Sequence, residues 1–131
     1  MAFEADITRG FAKGKPWLLM EHSTSAVNWQ DVNYAKTDGQ LFRNSIGHIA
    51  RGSNGAMFFQ WRASIAGSEK FHSALVPHAG TNTRTWRTVV ELGQKVKQLE
   101  AVSGKETKPA QIAKFSITIL VGTFAAQSSF N

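Results

Sequence analysis

Two short, continuous apolar runs limit what this chain can fold into more than any other feature of its sequence. They occupy residues 16–20 and 56–61, and each is preceded by glycine and followed by a polar loop and a helical pattern. Continuous apolarity, as opposed to alternation of apolar and polar residues, indicates strands that are covered on both faces, as in a parallel sheet. The sequence therefore predicts an α/β protein with parallel strands.

Three helical segments alternate with the two runs. Residues 3–13 predict a short helix before the first strand. Asp38 is expected to cap a second helix, and Asn82 or Thr83 to open the longest one, which would stop at Gly104. The residues expected to face inward are Phe42, Ile46 and Ile49 in the second helix and Trp86, Val89, Val90, Val96 and Leu99 in the third. The predicted order is helix, strand, helix, strand, helix.

Two strands cannot form a stable parallel sheet, because their edges and faces stay uncovered. We therefore expect the chain to be a piece of something larger. Residues 105–109 are polar and end in proline, which indicates a linker, and a further strand is predicted over residues 115–121. We divide the chain into a first domain piece, residues 1–103, and a linker with the start of a second domain, residues 104–131.

The composition argues against several classes of protein. The 131 residues carry 15 Lys and Arg against 9 Asp and Glu, and this net charge of +6 is spread along the chain. It permits nucleic-acid binding, but no stripe of aromatic and basic residues indicates it. No apolar run approaches a membrane span, and Glu4 and Asp6 argue against a signal peptide. With no cysteine in the chain, we expect a cytoplasmic protein without nucleic-acid or membrane partners.

Glu21 is the residue of most interest for chemistry. It is the single charge directly after the first apolar run, and it opens a polar loop. In an α/β barrel the carboxyl ends of the strands form the floor of the active site, so a carboxylate at this point indicates catalysis. A structural glutamate paired with a neighbouring Lys or Arg fits the same pattern. The residues alone leave both interpretations open.

A second group of candidates follows the second apolar run. Glu69 and His72 lie there in a long polar loop with aromatic neighbours. Such loops are typical of sugar sites, because aromatic rings pack on C–H faces and carboxylates accept hydrogen bonds from hydroxyls. Trp29 lies in a polar loop and is a candidate for such a contact, whereas Trp17 and Trp86 are expected in the core.

Other catalytic classes lack their motifs. The four histidines show neither an HExxH motif nor i, i+4 spacing, so no metal site is expected, and His48 is expected to be a satisfied packing residue on its helix. The serines after the first run lack the G-x-S-x-G turn of serine hydrolases. No glycine-rich phosphate loop occurs, and no cofactor is expected.

Five segments are long enough to compare with known families. They are KPWLLME at 15–21, SAVNW at 25–29, FFQWRAS at 58–64, GSEKFHSA at 67–74 and VPHAG at 76–80. Together, in this order and at this spacing, they resemble the β-galactosidases of glycoside hydrolase family 42. The resemblance runs from about residue 2 to residue 113.

This resemblance implies a fold, an activity and a set of site residues. The fold would be the C-terminal part of a TIM (β/α)8 barrel followed by the start of an α/β trimerisation domain, in a homotrimeric protein. The activity would be retaining hydrolysis of terminal non-reducing β-D-galactose residues from β-galactosides, with no cofactor. Glu21 would be the nucleophile, and Trp29, Phe59, Glu69 and His72 would line the galactose pocket.

Two departures from the family pattern bear on activity. The family's general acid is a glutamate preceded by asparagine, and the chain contains no Asn-Glu pair. Residues 114–131 also differ from the family's continuation. We therefore expect a piece of a β-galactosidase that is inactive by itself. A non-enzymatic carbohydrate-binding domain that reuses barrel-derived segments is the alternative, and a basic nucleic-acid-binding module is a third hypothesis.

Overall fold

The computed structural model of the protein describes residues 2–108. The elements are α1 (Ala2–Ala12), β1 (Trp17–Ser23), α2 (Gln40–Ile49), β2 (Ser53–Phe59) and α3 (Arg84–Lys97), with short 3-10 turns at Ser68–Phe71 and Glu100–Val102. The predicted order of helices and strands is confirmed. The strand predicted over residues 115–121 lies outside the described residues. No helix within residues 2–108 is long and apolar enough to cross a membrane.

The two strands pair in parallel, as predicted, but their ends differ from the prediction. Trp17 lies opposite Ser53 and Ser23 lies opposite Phe59. The pairing carries β1 three residues past the apolar run, so Glu21 lies within the strand and does not open the loop. It also starts β2 at residue 53 and ends it at 59, because polar and glycine residues can pair through their backbone as well as apolar ones.

The register between the strands shifts twice. Trp17 and Leu19 are two residues apart, but their partners Ser53 and Ala56 are three apart; from Leu19 to His22 the extra residue is in β1. An extra residue in one strand bends it and changes which face the following side chains occupy. Leu19 and His22 are accordingly both half-buried, while the two residues between them are exposed.

One face of this small sheet is covered and the other is open. α1 packs against β1, and α2 packs against β2. The opposite face exposes four large apolar side chains: Leu18 (49%), Met20 (65%), Met57 (52%) and Phe59 (37%). Continuous apolarity predicted cover on both faces. Within residues 2–108 only one face is covered, because α1 and α2 pack on that face and α3 packs against α2.

The buried side of α2 differs from the prediction. Leu41, Ser45 and His48 are its buried residues, whereas Phe42 is 36% exposed. The buried stripe lies one residue, or about 100° of helix rotation, away from the predicted stripe of Phe42, Ile46 and Ile49. A stripe chosen by apolarity alone misses it, because two of its three residues are polar.

The start of α2 also differs from the prediction. Asp38 does not cap the helix: the N-cap is Gly39, with a φ of 72° and no side-chain cap hydrogen bond. The Asp38 carboxylate instead accepts a hydrogen bond from the Arg84 guanidinium at 2.6 Å, within an ion pair. Glycine readily adopts the left-handed conformation found at this N-cap position. The Asp38 side chain is then free to pair with Arg84 of α3.

α3 begins as predicted and ends earlier. The Thr83 hydroxyl accepts a hydrogen bond from the backbone N–H of Trp86 at 3.3 Å, which confirms the predicted cap. The helix ends at Lys97, well before Gly104, and its one buried side chain is Leu92. Val90 and Val96, predicted to face inward, are about 40% exposed. The sequence pattern identified the correct helix but not its buried residue, because Leu92 is not among the residues predicted to face inward.

Gly52 joins α2 to β2 at a crowded point. Its φ is 95°, and a Cβ built there would lie 2.6 Å from the Thr107 hydroxyl. Any larger residue would be strained both by the backbone conformation and by this contact. The segment after α3 therefore returns to the start of β2 and packs there.

We predict that the isolated 131-residue chain is poorly stable and self-associates, because the open face of the sheet places four large apolar side chains in water. Size-exclusion chromatography and thermal melting followed by circular dichroism measure this. We expect a broad transition and a mixture of oligomers. A monodisperse monomer with a sharp cooperative transition would contradict the prediction.

Candidate active site

Glu21 lies near the carboxyl end of β1 with an exposed side chain. The sequence left two interpretations open, catalysis or a structural ion pair. Among residues 2–108, the ion pairs are those of Arg9 and Arg51 with Asp6 and of Arg84 with Asp38. Within that region the Glu21 carboxylate therefore has no Lys or Arg partner. An exposed carboxylate that is not committed to an ion pair is available for chemistry.

The loops that follow the two strands are hydrogen-bonded to each other. The buried Thr24 hydroxyl donates to the Ala74 carbonyl at 3.0 Å. The Ser25 N–H donates to the Ser73 hydroxyl at 2.9 Å, and the Ser73 N–H donates to the Ala26 carbonyl at 3.0 Å. The two loops, widely separated in sequence, thus form one structural unit at the carboxyl end of the sheet.

Asn28 extends this connection toward the outer part of the loops. Its side-chain N–H donates to the Ser68 carbonyl. Since Trp29 follows Asn28 and Glu69 follows Ser68, the bond brings together the two segments that carry these candidates. The Asn28 Oδ1 atom is buried without a hydrogen-bond partner, so the side chain keeps an acceptor unused.

His72 and Phe59 are brought into direct contact. The edge of one ring faces the other, with centroids 5.0 Å apart and planes at 86°. His72 is only 4% exposed, and its Nδ1 lies 2.9 Å from the Ser73 carbonyl oxygen. A carbonyl oxygen can only accept, so Nδ1 carries the proton in the neutral ring. Nε2 is then left as an acceptor for a hydroxyl group.

Glu69 lies on a well-anchored turn. Its carbonyl oxygen accepts from the Gln60 side-chain amide at 3.3 Å and from the His72 N–H at 3.1 Å. The Gln60 Oε1 atom in turn accepts from the Ser64 hydroxyl at 3.0 Å. The Glu69 side chain is half-buried, so the backbone at this residue is held by contacts that leave its carboxylate free.

The structure bears out the expected exposure of Trp29 but not the core positions expected for Trp17 and Trp86, which are only half-buried. Trp29 is 69% exposed, which fits a contact residue better than a core residue. Trp17 is half-buried beside His48, and Trp86 is half-buried, with the ring of Trp61 across from it at a centroid distance of 6.3 Å. Trp61 itself is 66% exposed.

Lys36 is the residue of this region that the sequence analysis missed. Its ammonium donates to the Ser23 carbonyl at 2.6 Å, the Ser23 hydroxyl at 2.7 Å and the Ser25 carbonyl at 3.3 Å. Burial lowers the pKa of the Lys36 ammonium. No sequence signal distinguishes this lysine from others in polar loops, because the contacts depend on how the loop folds back onto the end of β1.

The covered face of the sheet holds a group of buried polar atoms without hydrogen-bond partners. They are Trp17 Nε1, His22 Nε2, Ser45 Oγ and His48 Nδ1. The His48 ring is 6.1 Å from that of His22 and 6.4 Å from that of Trp17, centroid to centroid. His48 was predicted to be a satisfied packing residue. It is buried, but its Nδ1 atom has no hydrogen-bond partner.

Protonation of this group is unfavourable. Burial, together with the smaller effects of the positive charges of Lys36 and His48, lowers the pKa of His22 from 6.5 to about 4. Burial also lowers the pKa of His48. Within the described residues, no cluster of three or more His, Cys, Asp or Glu side chains can hold a metal ion.

Comparison with known proteins identifies what this arrangement resembles. The sequence model of a family described as beta-galactosidase matches residues 1–99. A beta-galactosidase of Arthrobacter sp. is 59% identical over 108 residues, which cover 82% of this chain and 16% of that protein. Beta-galactosidase BbgII of Bifidobacterium bifidum is 42% identical over 115 residues, 86% of this chain and 17% of that protein.

Solved structures give the same result. A catalytic glutamate-to-alanine mutant of a beta-galactosidase from G. stearothermophilus matches with a TM-score of 0.78 and 40% identity, over 84% of this chain and 16% of that one. A beta-galactosidase from Bacillus circulans sp. alkalophilus matches with a TM-score of 0.76 and 36% identity, over 80% and 16%. The chain spans about one sixth of the length of these relatives.

We predict that His22 makes the chain sensitive to acid. The unfolded chain binds a proton at His22 near pH 6.5 and the folded chain only near pH 4, so folding stability falls as the pH drops through this window. In His22→Gln, the far-UV circular dichroism signal should decline less between pH 6.5 and 4. The matched control His78→Gln, which changes an exposed histidine, should behave like the parent. Equal acid sensitivity of the parent and His22→Gln would refute the assignment.

Proposed function

The chain belongs to glycoside hydrolase family 42, the β-galactosidases, and from this membership we propose that it forms part of the catalytic site of a retaining β-galactosidase. The substrate would be a β-galactoside with a terminal non-reducing β-D-galactose residue. Glu21 is the proposed nucleophile, and Trp29, Phe59, Glu69 and His72 are the proposed contacts to the galactose.

The observation that carries this proposal is the joining of the two strand-end loops. Ser23 pairs with Phe59, so the carboxyl ends of β1 and β2 lie at the same edge of the sheet. The hydrogen bonds from residues 24–28 to residues 68–74 then hold both groups of candidates at that edge. In α/β folds this edge is where ligands bind.

The proposed chemistry follows from the groups present. A retaining glycosidase uses one carboxylate to attack the anomeric carbon and a second carboxyl group, about 5–5.5 Å away, to protonate the departing oxygen. Glu21 is exposed and without an ion pair in the described region, so it is free to attack. The His72 Nε2 atom and the Glu69 carboxylate would bind sugar hydroxyls, and Phe59 and Trp29 would shape the apolar side of the pocket.

The second carboxyl group would come from outside these 131 residues. The family's general acid follows an asparagine, and the chain has no Asn-Glu pair. We propose that residues 1–103 are the C-terminal part of a (β/α)8 barrel and that residues 104–131 begin a trimerisation domain in a homotrimeric, cytoplasmic enzyme. The open apolar face of the sheet supports this, because further barrel strands would cover it.

We predict that the isolated chain hydrolyses aryl β-galactosides no faster than its Glu21→Gln variant. It lacks the acid that protonates the leaving group and most of the surface that would enclose the sugar. Release of the aryl group, measured at equal protein concentrations, tests this. Turnover that disappears in Glu21→Gln would disprove the incompleteness of the chain, while galactose binding without turnover would favour the carbohydrate-binding alternative.

The proposed roles are tested in a complete enzyme, a chimera in which residues 1–99 of this chain replace the matching segment of the Arthrobacter relative. We predict that the chimera is active and that Glu21→Gly nearly abolishes turnover. Azide should restore turnover of an activated aryl galactoside, because it fits the space left by the carboxylate. The product should be α-galactosyl azide, since a single displacement inverts the β-galactoside.

The matched control for this experiment is Glu69→Gln. Its proposed role is hydroxyl binding, so the variant should lose discrimination between galactosides and glucosides and gain nothing from azide. Azide rescue of Glu69→Gln but not of Glu21→Gly would reverse the two assignments. A β-galactosyl azide from Glu21→Gly would instead make Glu21 the general acid.

A further inference from the structure

We propose that Lys36 is a positioning residue of this site: it holds the turn at the end of β1, residues 23–25, so that Glu21 and His72 keep the relative placement that catalysis needs. This inference rests on the proposed function, because it gives Lys36 a task only if Glu21 and His72 act on one sugar. Lys36 itself touches no proposed substrate contact.

The first support is the geometry around the ammonium. Lys36 Nζ has three hydrogens and three acceptors, all of them in the turn: the Ser23 carbonyl, the Ser23 hydroxyl and the Ser25 carbonyl, at 2.6, 2.7 and 3.3 Å. The Lys36 N–H adds a fourth bond by donating to the Ser25 hydroxyl at 3.2 Å. One residue therefore fixes both ends of a three-residue segment that starts two positions after Glu21.

The second support is the continuation of these bonds to His72. Ser25, held by Lys36 through its carbonyl and hydroxyl oxygens, donates its own N–H to the Ser73 hydroxyl at 2.9 Å. The Ser73 carbonyl in turn accepts from the His72 ring at Nδ1. An unbroken series of hydrogen bonds thus joins the Lys36 ammonium to the imidazole of the proposed sugar contact.

The third support is the absence of a simpler explanation for the charge. Among residues 2–108 no carboxylate forms an ion pair with Lys36, although the side chain is half-buried and its pKa is lowered by desolvation. Burying an ammonium is unfavourable unless its hydrogens are bonded. The backbone and hydroxyl oxygens of the turn supply that bonding, so the charge and the shape of the turn depend on each other.

A neighbouring contact fixes Lys36 from the other side. The Arg84 guanidinium donates to the Lys36 carbonyl at 3.3 Å while it pairs with Asp38. The loop that carries Lys36 is therefore attached to α3 as well as to β1. Lys36 is therefore held at its backbone by α3 and at its ammonium by the end of β1, and it fixes the position of these two elements relative to each other.

The test uses the active chimera described above and three variants: Lys36→Met, Lys36→Arg and Lys95→Met. Active sites are counted by end-point inactivation with a 2-deoxy-2-fluorogalactoside, which forms a stable glycosyl-enzyme even when attack is slow, so that poorly folded molecules do not lower the measured rate. We expect Lys36→Met to reduce kcat per active site about 10²-fold with little change in KM, because a small misplacement of reacting groups costs this much. Lys36→Arg, which keeps the charge but not the compact ammonium, should recover about tenfold of the loss. Lys95→Met, at an exposed position in the last turn of α3, should match the parent.

Three outcomes would overturn the proposal. The first is parental kcat per active site in Lys36→Met with only a lower melting temperature, which is the result of a purely structural role. The second is Lys36→Arg no more active than Lys36→Met. The third applies if Lys36→Met does not fold: Lys36→Arg then decides, and parental kcat in that variant refutes the role. An inactive parent chimera overturns the proposed function instead, since it fails before any change at Lys36.

Discussion

The parallel pairing of β1 with β2 is the constraint on which the rest of the described structure depends. It aligns the carboxyl ends of two segments that are more than thirty residues apart, with Ser23 opposite Phe59. The two register shifts decide which residues face the helices and which face outward. Without the extra residue between Leu19 and His22, the alternation of side chains would place each residue at the end of β1 on the face opposite to the one it occupies.

The loops after the strands convert this pairing into a candidate site. Backbone and side-chain hydrogen bonds tie residues 24–28 to residues 68–74, and the buried His72 packs against Phe59 at the end of β2. The proposed catalytic carboxylate, Glu21, stays exposed beside this unit. Hydrogen-bonded loops beside a carboxylate that has no ion-pair partner among residues 2–108 suit the proposed glycosidase, because its transition state demands fixed groups on both sides of the anomeric carbon.

The two faces of the sheet differ in chemistry because helices cover only one of them. The covered face holds the unsatisfied nitrogen atoms of His22 and His48, where burial keeps the rings neutral. The open face exposes Met20 and Met57 among other apolar residues. A chain spanning about one sixth of its relatives' length can satisfy one face of a parallel sheet with its own helices, and the proposed barrel would supply the cover for the other.

The sequence by itself determined the order of helices and strands, a cap of the longest helix at residue 82 or 83, the exposure of Trp29 and membership of the β-galactosidase family, because each depends on local pattern or on contiguous motifs. Tertiary structure alone decided the ends of the strands, the buried stripe of α2 and the contacts of Asp38 and Lys36. The end of β1 depends on its partner: polar residues 21–23 extend the strand because residues of β2 lie opposite them. The Lys36 ammonium likewise reaches its three acceptors only after the chain has folded back onto the end of β1. No spacing of residues along the chain predicts this contact.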